Sequence, residues 1–262
     1  MSLSIIVFTR DDAEHLSRCL STLRDDGVDA LSQVIVVDNA STDQTAAVLA
    51  GFVDSLPLVV LRLEVDTSFS AGNNLGLARA RGEYVLFLNP DTLPTATVLS
   101  FCMEELKSSR DVGLVGPRLV HPGGVDQDNG WQLPHPLTLA REHLRVTPRR
   151  VPPSGGRCTE VGWLMGCFLL GRADLLRDIG GFDEEFWFHG TDLELCARVR
   201  ATGRSILRVD DVALLHVGHQ RWDRGRRRAS QAALVQYTRR EHGSLAAYGV
   251  ASLARLAEAL RP

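Results

Sequence analysis

The chain has 262 residues, 44% of them hydrophobic and 23% charged, which suits one large α/β domain or two small ones in a soluble globular protein. A formal net charge of -3 argues against nucleic acid as the main partner. The five cysteines are scattered without a CxxC pair, no basic leader precedes the first apolar run, and no run approaches the ~18 apolar residues of a membrane span, so the expectation is a cytoplasmic protein with reduced thiols and at most peripheral membrane contact.

The first half alternates strands and helices. Ser4–Phe8 is a short apolar strand, and Ala13–Leu23 carries Leu16, Cys19, Leu20 and Leu23 at helical spacing. Gln33–Asp38 is a second strand. Thr42–Phe52 is a second helix, for which Ser41 and Gln44 have capping-box spacing. Leu58–Leu63 is a third strand, and the helix opened by Phe69-Ser70-Ala71-Gly72-Asn73-Asn74 ends near Gly82. Tyr84–Leu88 is a run of five apolar β-formers, the pattern of a buried strand in a parallel sheet. Pro90 cannot donate to a sheet ladder, so this strand stops at about Asn89 and leaves Asp91 just past its carboxyl end. A helix over Ala96–Ser108 and a strand over Val112–Val115 follow. Repeated β-α-β order with short links predicts a mostly parallel sheet flanked by helices, with ligands across the carboxyl ends of the first strands.

The pattern breaks at about His121. Residues 121–160 are rich in Gly, Pro, His and Arg, and read equally as an acceptor loop carrying Trp131 and His135 or as an unstructured insertion. Order returns over Val161–Leu170, which includes Trp163 and Met165. A short helix over Arg172–Ile179 ends at Gly180-Gly181. Thr191 and Glu194 have capping-box spacing, which starts a helix at about Asp192 and carries it to Ala201. Strands Ser205–Val209 and Val212–Val217 and an Arg- and Ala-rich helical tail from Gly225 complete the chain.

Several residues admit both a chemical and a structural reading. Asp91 suits a divalent cation carrying phosphate oxygens, or a cap on the next helix. Thr9-Arg10-Asp11-Asp12 has no glycines and is neither a dinucleotide fingerprint nor a P-loop; it suits a base or ribose, or an N-cap. Asp38 with Asn39 suits a base N–H or ribose hydroxyl, or a turn, and Gly72-Asn73 a close backbone approach to phosphate or ribose. Asp192 falls in the first turn of its helix, where the positive helix end favours an ionised carboxylate: an available base, or a surface residue complementing the dipole. His216 and His219 suit a metal or a backbone hydrogen bond. Arg221, Arg224, Arg226, Arg227 and Arg228 suit a diphosphate, an anionic acceptor or membrane surface, or a solvated helix face.

In order, Ser4-Ile5-Ile6-Val7-Phe8-Thr9-Arg10, Val36-Val37-Asp38-Asn39-Ala40-Ser41-Thr42-Asp43, Phe69-Ser70-Ala71-Gly72-Asn73-Asn74-Leu75-Gly76, Leu86-Phe87-Leu88-Asn89-Pro90-Asp91-Thr92, Gly180-Gly181-Phe182-Asp183-Glu184 and Asp192-Leu193-Glu194-Leu195-Cys196-Ala197-Arg198 form a set. That set resembles family-2 glycosyltransferases of the GT-A fold, particularly the rhamnosyltransferase-like branch, over about residues 3–220. The resemblance implies a GT-A domain over 1–220, with a nucleotide-sugar half (1–120) and an acceptor half (121–220), and a helical tail over 221–262. It implies Asp91 as the metal carboxylate of an Asp-x-Asp motif whose first Asp is Asn89 here, with His216 completing a Mg²⁺ or Mn²⁺ site. It places Thr9, Arg10, Asp38, Asn39, Gly72, Asn73 and Asn89 on the nucleotide, Asp192 as catalytic base, and Trp131, Trp163, Met165 and Glu194 near the acceptor.

The chain departs from the pattern at Thr191, where the family has Glu, and at Glu194, where it has Asp. The implied activity is inverting transfer of a sugar, with rhamnose favoured by likeness, from a dTDP- or UDP-sugar to a hydroxyl on a glycan, lipid-linked glycan or small molecule. A sugar-1-phosphate nucleotidyltransferase would want a Gly-rich basic loop where Phe8-Thr9-Arg10-Asp11 stands. A non-catalytic sugar-nucleotide or glycan-binding module is the alternative that Thr191 motivates.

Overall fold

The computed structural model describes residues 2–26, 31–136, 138–139, 150–218 and 224–259. Its centre is a sheet of short apolar strands buried on both faces. Strands β1 (Leu3–Thr9), β2 (Leu31–Asp38), β3 (Leu58–Arg62) and β4 (Tyr84–Leu88) pair in parallel in the order β3-β2-β1-β4. The chain lays β2 and β3 on one side of β1 and β4 on the other. The carboxyl ends of β1, β2 and β4 therefore meet at a switch point, where a crevice opens in this kind of sheet.

Beyond β4 the sheet is mixed. Strand β9 (Phe168–Arg172) runs antiparallel between β4 and β6 (Val112–Val120), and β10 (Ser205–His216) is parallel to β6. The short strands β5 (Thr92–Leu93), β7 (Asp126–Gln127) and β8 (Cys158–Val161) add antiparallel to β10, β6 and β10 respectively.

Alternate residues of each central strand feed opposite cores, as the two-residue period of a strand requires. Ile5, Val7, Val34, Val36 and Leu86 pack with Leu16, Cys19, Leu20 and Leu23 of α1 (Ala13–Asp25) and Leu99, Cys102 and Leu106 of α4 (Ala96–Ser108). On the other face Ile6, Ile35, Val37, Val85 and Phe87 meet Leu77 of α3 (Phe69–Arg79), Leu175 and Leu176 of α5 (Ala173–Asp178), and Leu195, Cys196 and Val199 of α6 (Thr191–Ala201).

Several local expectations shift. Helix α2 is only Thr45–Ala50, and Ser41 does not cap it: the Ser41 hydroxyl accepts from the Asp11 N–H at 3.0 Å. Strand β6 extends to Val120, and the two strands expected over 205–217 are one, β10, with an irregularity between Val209 and Ala213. The stretch 121–160 is not structureless throughout, since it contributes β7, β8 and a bridge from Trp131 to Trp163. Helix α6 starts after Gly190, whose φ of 77° needs a glycine, and Thr191 makes no capping box. The tail is helix α7 (Arg224–Ala259), broken at Gly243 with φ 84° and ψ 170°. Among the described residues no helix is long and apolar enough to cross a membrane.

Candidate active site

The turn after β4 is fixed by its neighbours. The Asn89 N–H donates to the Cys167 carbonyl at 3.0 Å, the Thr92 hydroxyl to the Asn89 carbonyl at 2.7 Å, and the Val217 N–H to the Asp91 carbonyl at 2.9 Å. Pairing of Thr92 with His216 across β5 and β10 then sets the Asp91 carboxylate 3.4 Å from His216 Nε2. His216 is buried, and its Nδ1 lies 2.8 Å from Gln127 Oε1 on β7. An amide oxygen only accepts, so Nδ1 carries a proton; Nε2 then offers its lone pair to a cation when the ring is neutral and donates to the Asp91 carboxylate when the ring is charged. Burial works to raise the Asp91 pKa, but the hydrogen bond and charge of His216 outweigh it and hold the carboxyl below its usual range.

One carboxylate and one oriented imidazole suit Mg²⁺ or Mn²⁺, with the Gln127 contact acting as the outer support such histidines normally have. Among the described residues no cluster of three or more His, Cys, Asp or Glu gathers, so a cation here would complete its shell with water and substrate oxygens.

Asp192 reaches the same place from the far side of the chain. Its Oδ2 accepts from the Gly166 N–H at 3.0 Å and its Oδ1 from its neighbour Leu193 at 2.8 Å. Gly166 has no room to spare: a Cβ there would stand 3.3 Å from the Asp192 Cβ. The next residue, Cys167, is the one whose carbonyl holds Asn89. Two consecutive residues thus connect the Asp192 carboxylate to the turn that carries Asp91. The buried Cys167 thiol registers both: burial pushes its pKa up, and the charges of Asp91 and Asp192 push it further.

Asn129 and Gly166 escaped the sequence reading. Buried Asn129 accepts from the Met165 N–H at 2.9 Å and donates to the Pro117 carbonyl at 2.8 Å, tying the Gly166 segment to β6; Arg208 donates to the Asn129 carbonyl at 2.6 Å. Neither residue carried a spacing signal, because their partners are 36 and 26 positions away.

On the nucleotide side, Thr9 and Asp38 pair in register at the carboxyl ends of β1 and β2. Thr9 is 2% exposed and its hydroxyl has no hydrogen-bond partner among the described residues. Asp38 accepts from the Ser41 N–H at 3.0 Å and stands 3.7 Å from the Arg62 guanidinium. Arg10 is half exposed and pairs with Asp66. Asn39 bonds Asp66 at 2.6 Å and both polar backbone groups of Thr67, which shapes the loop. An open cleft of about 610 Å³ adjoins these residues, lined by Ala40, Ser41, Arg62, Leu63 and Glu64.

At Gly72 the missing Cβ is space taken by Phe8, whose ring carbon would lie 2.1 Å from that atom, so the glycine serves helix-on-strand packing. Asn73 is buried and donates back to the Phe69 carbonyl at 2.9 Å.

The acceptor residues divide. Trp131 and Trp163 stack at 4.3 Å with 22° between planes, and Met165 sits beside Gly166. Glu194 is 3% exposed, receives two 2.6 Å hydrogen bonds from Arg198 and lies 3.7 Å from Arg240, contacts that anchor α6 to α7. Trp187 and Phe188, just before Gly190, are exposed at 62% and 57%. His219 and Arg221 lie outside the described residues; Arg227 and Arg228 are exposed on α7.

The profile of the family described as Glycosyl transferase family 2 matches residues 4–179. The chain belongs to that family. It is 30% identical over 235 residues to the O-antigen biosynthesis protein RfbC of Myxococcus xanthus, covering 82% of this chain but 17% of that protein. It is 24% identical over 257 residues to the N-acetylglucosaminyl-diphospho-decaprenol L-rhamnosyltransferase of Mycobacterium tuberculosis, covering 88% and 80%. Among solved structures, the mannosyltransferase PcManGT of Pyrobaculum calidifontis, in complex with GDP-Man and Mn²⁺, superposes with a TM-score of 0.65 at 20% identity over 99% of this chain and 76% of that one. Staphylococcus aureus TarS 1-349 with UDP-GlcNAc gives 0.60 at 18% over 97% and 72%. The fold is GT-A, as the sequence resemblance implied.

Proposed function

We propose that this family-2 glycosyltransferase moves a sugar from a nucleoside-diphosphate donor to an acceptor hydroxyl with inversion at the anomeric carbon. The observation that carries the reading is the Gly166–Cys167 link, which holds Asp192 through one peptide and the Asn89–Asp91 turn through the next. Thr9, Arg10 and Asp38 receive the nucleoside, and the diphosphate extends toward Asp91. The acceptor enters past Trp187 and Phe188.

Asp192 takes the acceptor's hydroxyl proton as the oxygen attacks. The new C–O bond forms on one face of the sugar while the bond to the diphosphate breaks on the other, and the electron pair leaves with the nucleoside diphosphate. A Mg²⁺ or Mn²⁺ held by Asp91 and His216 would supply charge stabilisation to the leaving group. Mn²⁺ in the PcManGT complex supports that choice, the Mycobacterium tuberculosis relative supports rhamnose, and UDP-GlcNAc in the TarS complex supports a nucleoside-diphosphate donor.

The test is Asp192→Asn. Turnover is expected to fall by at least about 10²-fold, the lower end for one general base, while nucleotide binding by thermal shift stays within error. Full turnover in that variant would remove Asp192 from the reaction.

A further inference from the structure

Helix α7 turns back on itself at Gly243, and its two arms enclose a cleft of about 840 Å³ with the loop that leads into α6. Four guanidinium groups line it, from Arg228, Arg239, Arg240 and Arg255, with the carboxylate of Glu185; Arg240 already pairs with Asp183, so the positive excess rests on the other arginines. Gln231 and Gln236 add two amides, and the rest of the wall is apolar: Phe186, Ala232, Val235, Ala251 and Ala254. A basic rim beside an apolar floor differs from a plain protein core. Guanidinium forks fit phosphate oxygens, and a smooth apolar floor fits a hydrocarbon chain.

The cleft is mechanically tied to the acid that faces the acceptor. Ala233 lies against Gly190, where an added Cβ would meet it at 3.0 Å, and Gly190 is two residues from Asp192. Gln236 donates to the Glu185 carbonyl at 3.2 Å, and Arg240 pairs with Asp183 and stands 3.7 Å from Glu194 on α6. At the bend between the arms, Leu245 and Tyr248 are 86% and 72% exposed, an apolar tip beside the basic cleft.

We infer that the α7 cleft binds the phosphate of an amphiphile, with the head group on the arginine rim and the start of the chain on the alanine and phenylalanine floor. Two sources share that chemistry: the acceptor's own lipid phosphate, and an anionic lipid of a bilayer surface. The binding stands independently of the transfer reaction; its use in delivering an acceptor to Asp192 rests on the function proposed above.

The experiment compares the full chain with Arg239→Gln/Arg255→Gln, and with Arg18→Gln/Arg24→Gln on α1 as an equal loss of exposed charge elsewhere. Dodecyl phosphate below its micelle concentration is the first probe, with dodecanol and inorganic phosphate as controls, followed by calorimetry at low and high salt. The wild type and the α1 variant are expected to bind dodecyl phosphate, salt-sensitively, and the cleft variant at least about tenfold more weakly. Equal binding by the cleft variant, or inorganic phosphate binding as tightly as dodecyl phosphate, overturns the inference.

Co-sedimentation with phosphatidylcholine vesicles, plain or doped with phosphatidylglycerol or farnesyl phosphate, then separates the sources. Preference for farnesyl phosphate assigns the acceptor, and equal retention on both doped vesicles assigns a bilayer surface. Retention on undoped vesicles that the cleft variant keeps overturns both. Unchanged melting temperatures and nucleotide-induced thermal shifts in the variants separate a failure here from a failure of the donor site.

Discussion

Asp91 shows how a single residue is tuned by what encloses it. Mostly buried, it retains a low pKa because His216 faces it and Gln127 orients that ring. The sign for stability follows from that direction. A carboxyl whose folded pKa is depressed stabilises the fold above its unfolded value of about 4, and the contribution disappears as pH falls through the lowered folded value. The melting-temperature gap between wild type and Asp91→Asn, without metal, is therefore expected to be full at neutral pH and to close in acid; a constant gap would mean that the pairing does not exist in solution. With Mn²⁺ present, Asp91→Ala should lose the metal-dependent part of nucleotide binding by calorimetry, and unchanged binding would count against the cation assignment.

At the scale of elements, the pairing of α3 with β1 depends on absent side chains. Gly72 lies against Phe8 and Gly76 against Ile6, where an added Cβ would fall 2.1 Å and 2.4 Å from the facing atoms. Gly72→Ala should cost about 1–3 kcal/mol through overpacking, read as a lower urea midpoint, with partial recovery when Phe8→Leu is added. A glycine acting as a phosphate cradle would behave differently, losing nucleotide affinity while stability held.

The same elements show what the sequence made legible. Tyr84–Leu88 was readable as a central strand because five apolar β-formers followed by Pro90 have few other uses, and Asp91 and Asp192 were placed by the residues around them. The caps were not readable. Ser41 and Thr191 have the spacing of capping boxes, but the Ser41 hydroxyl finds the Asp11 N–H and the Glu194 carboxylate finds Arg198. Local spacing cannot weigh a partner 30 residues away. Asn129 lies in a stretch without periodicity, and its contacts to Pro117 and Met165 exist only once β6 and the Gly166 segment are side by side.

At the scale of the whole molecule, the tail is joined to the catalytic half through buried charge. Glu194 accepts from Arg198, which also donates to the Ile179 and Gly181 carbonyls, while Arg240 of α7 stands within reach of the same carboxylate. Removing one member of such a group strands the rest, so Glu194→Ala should destabilise toward the lower end of about 3–5 kcal/mol, since the Arg198 side chain keeps some access to water. Guanidinium denaturation measures the loss, and a wild-type midpoint with impaired acceptor affinity would instead return Glu194 to the acceptor.

The Gly166–Cys167 hinge point between the two acids is main chain on its own side of both contacts. Side-chain replacements in the surrounding loops leave those peptide groups in place. On the proposed reading, the gap between Asp192 and the leaving group is thereby insulated from changes in substrate taste. If the acceptor enters past Trp187 and Phe188 as proposed, grafting the 187–189 tip from a relative is expected to alter acceptor selectivity while turnover that depends on Asp192 is kept.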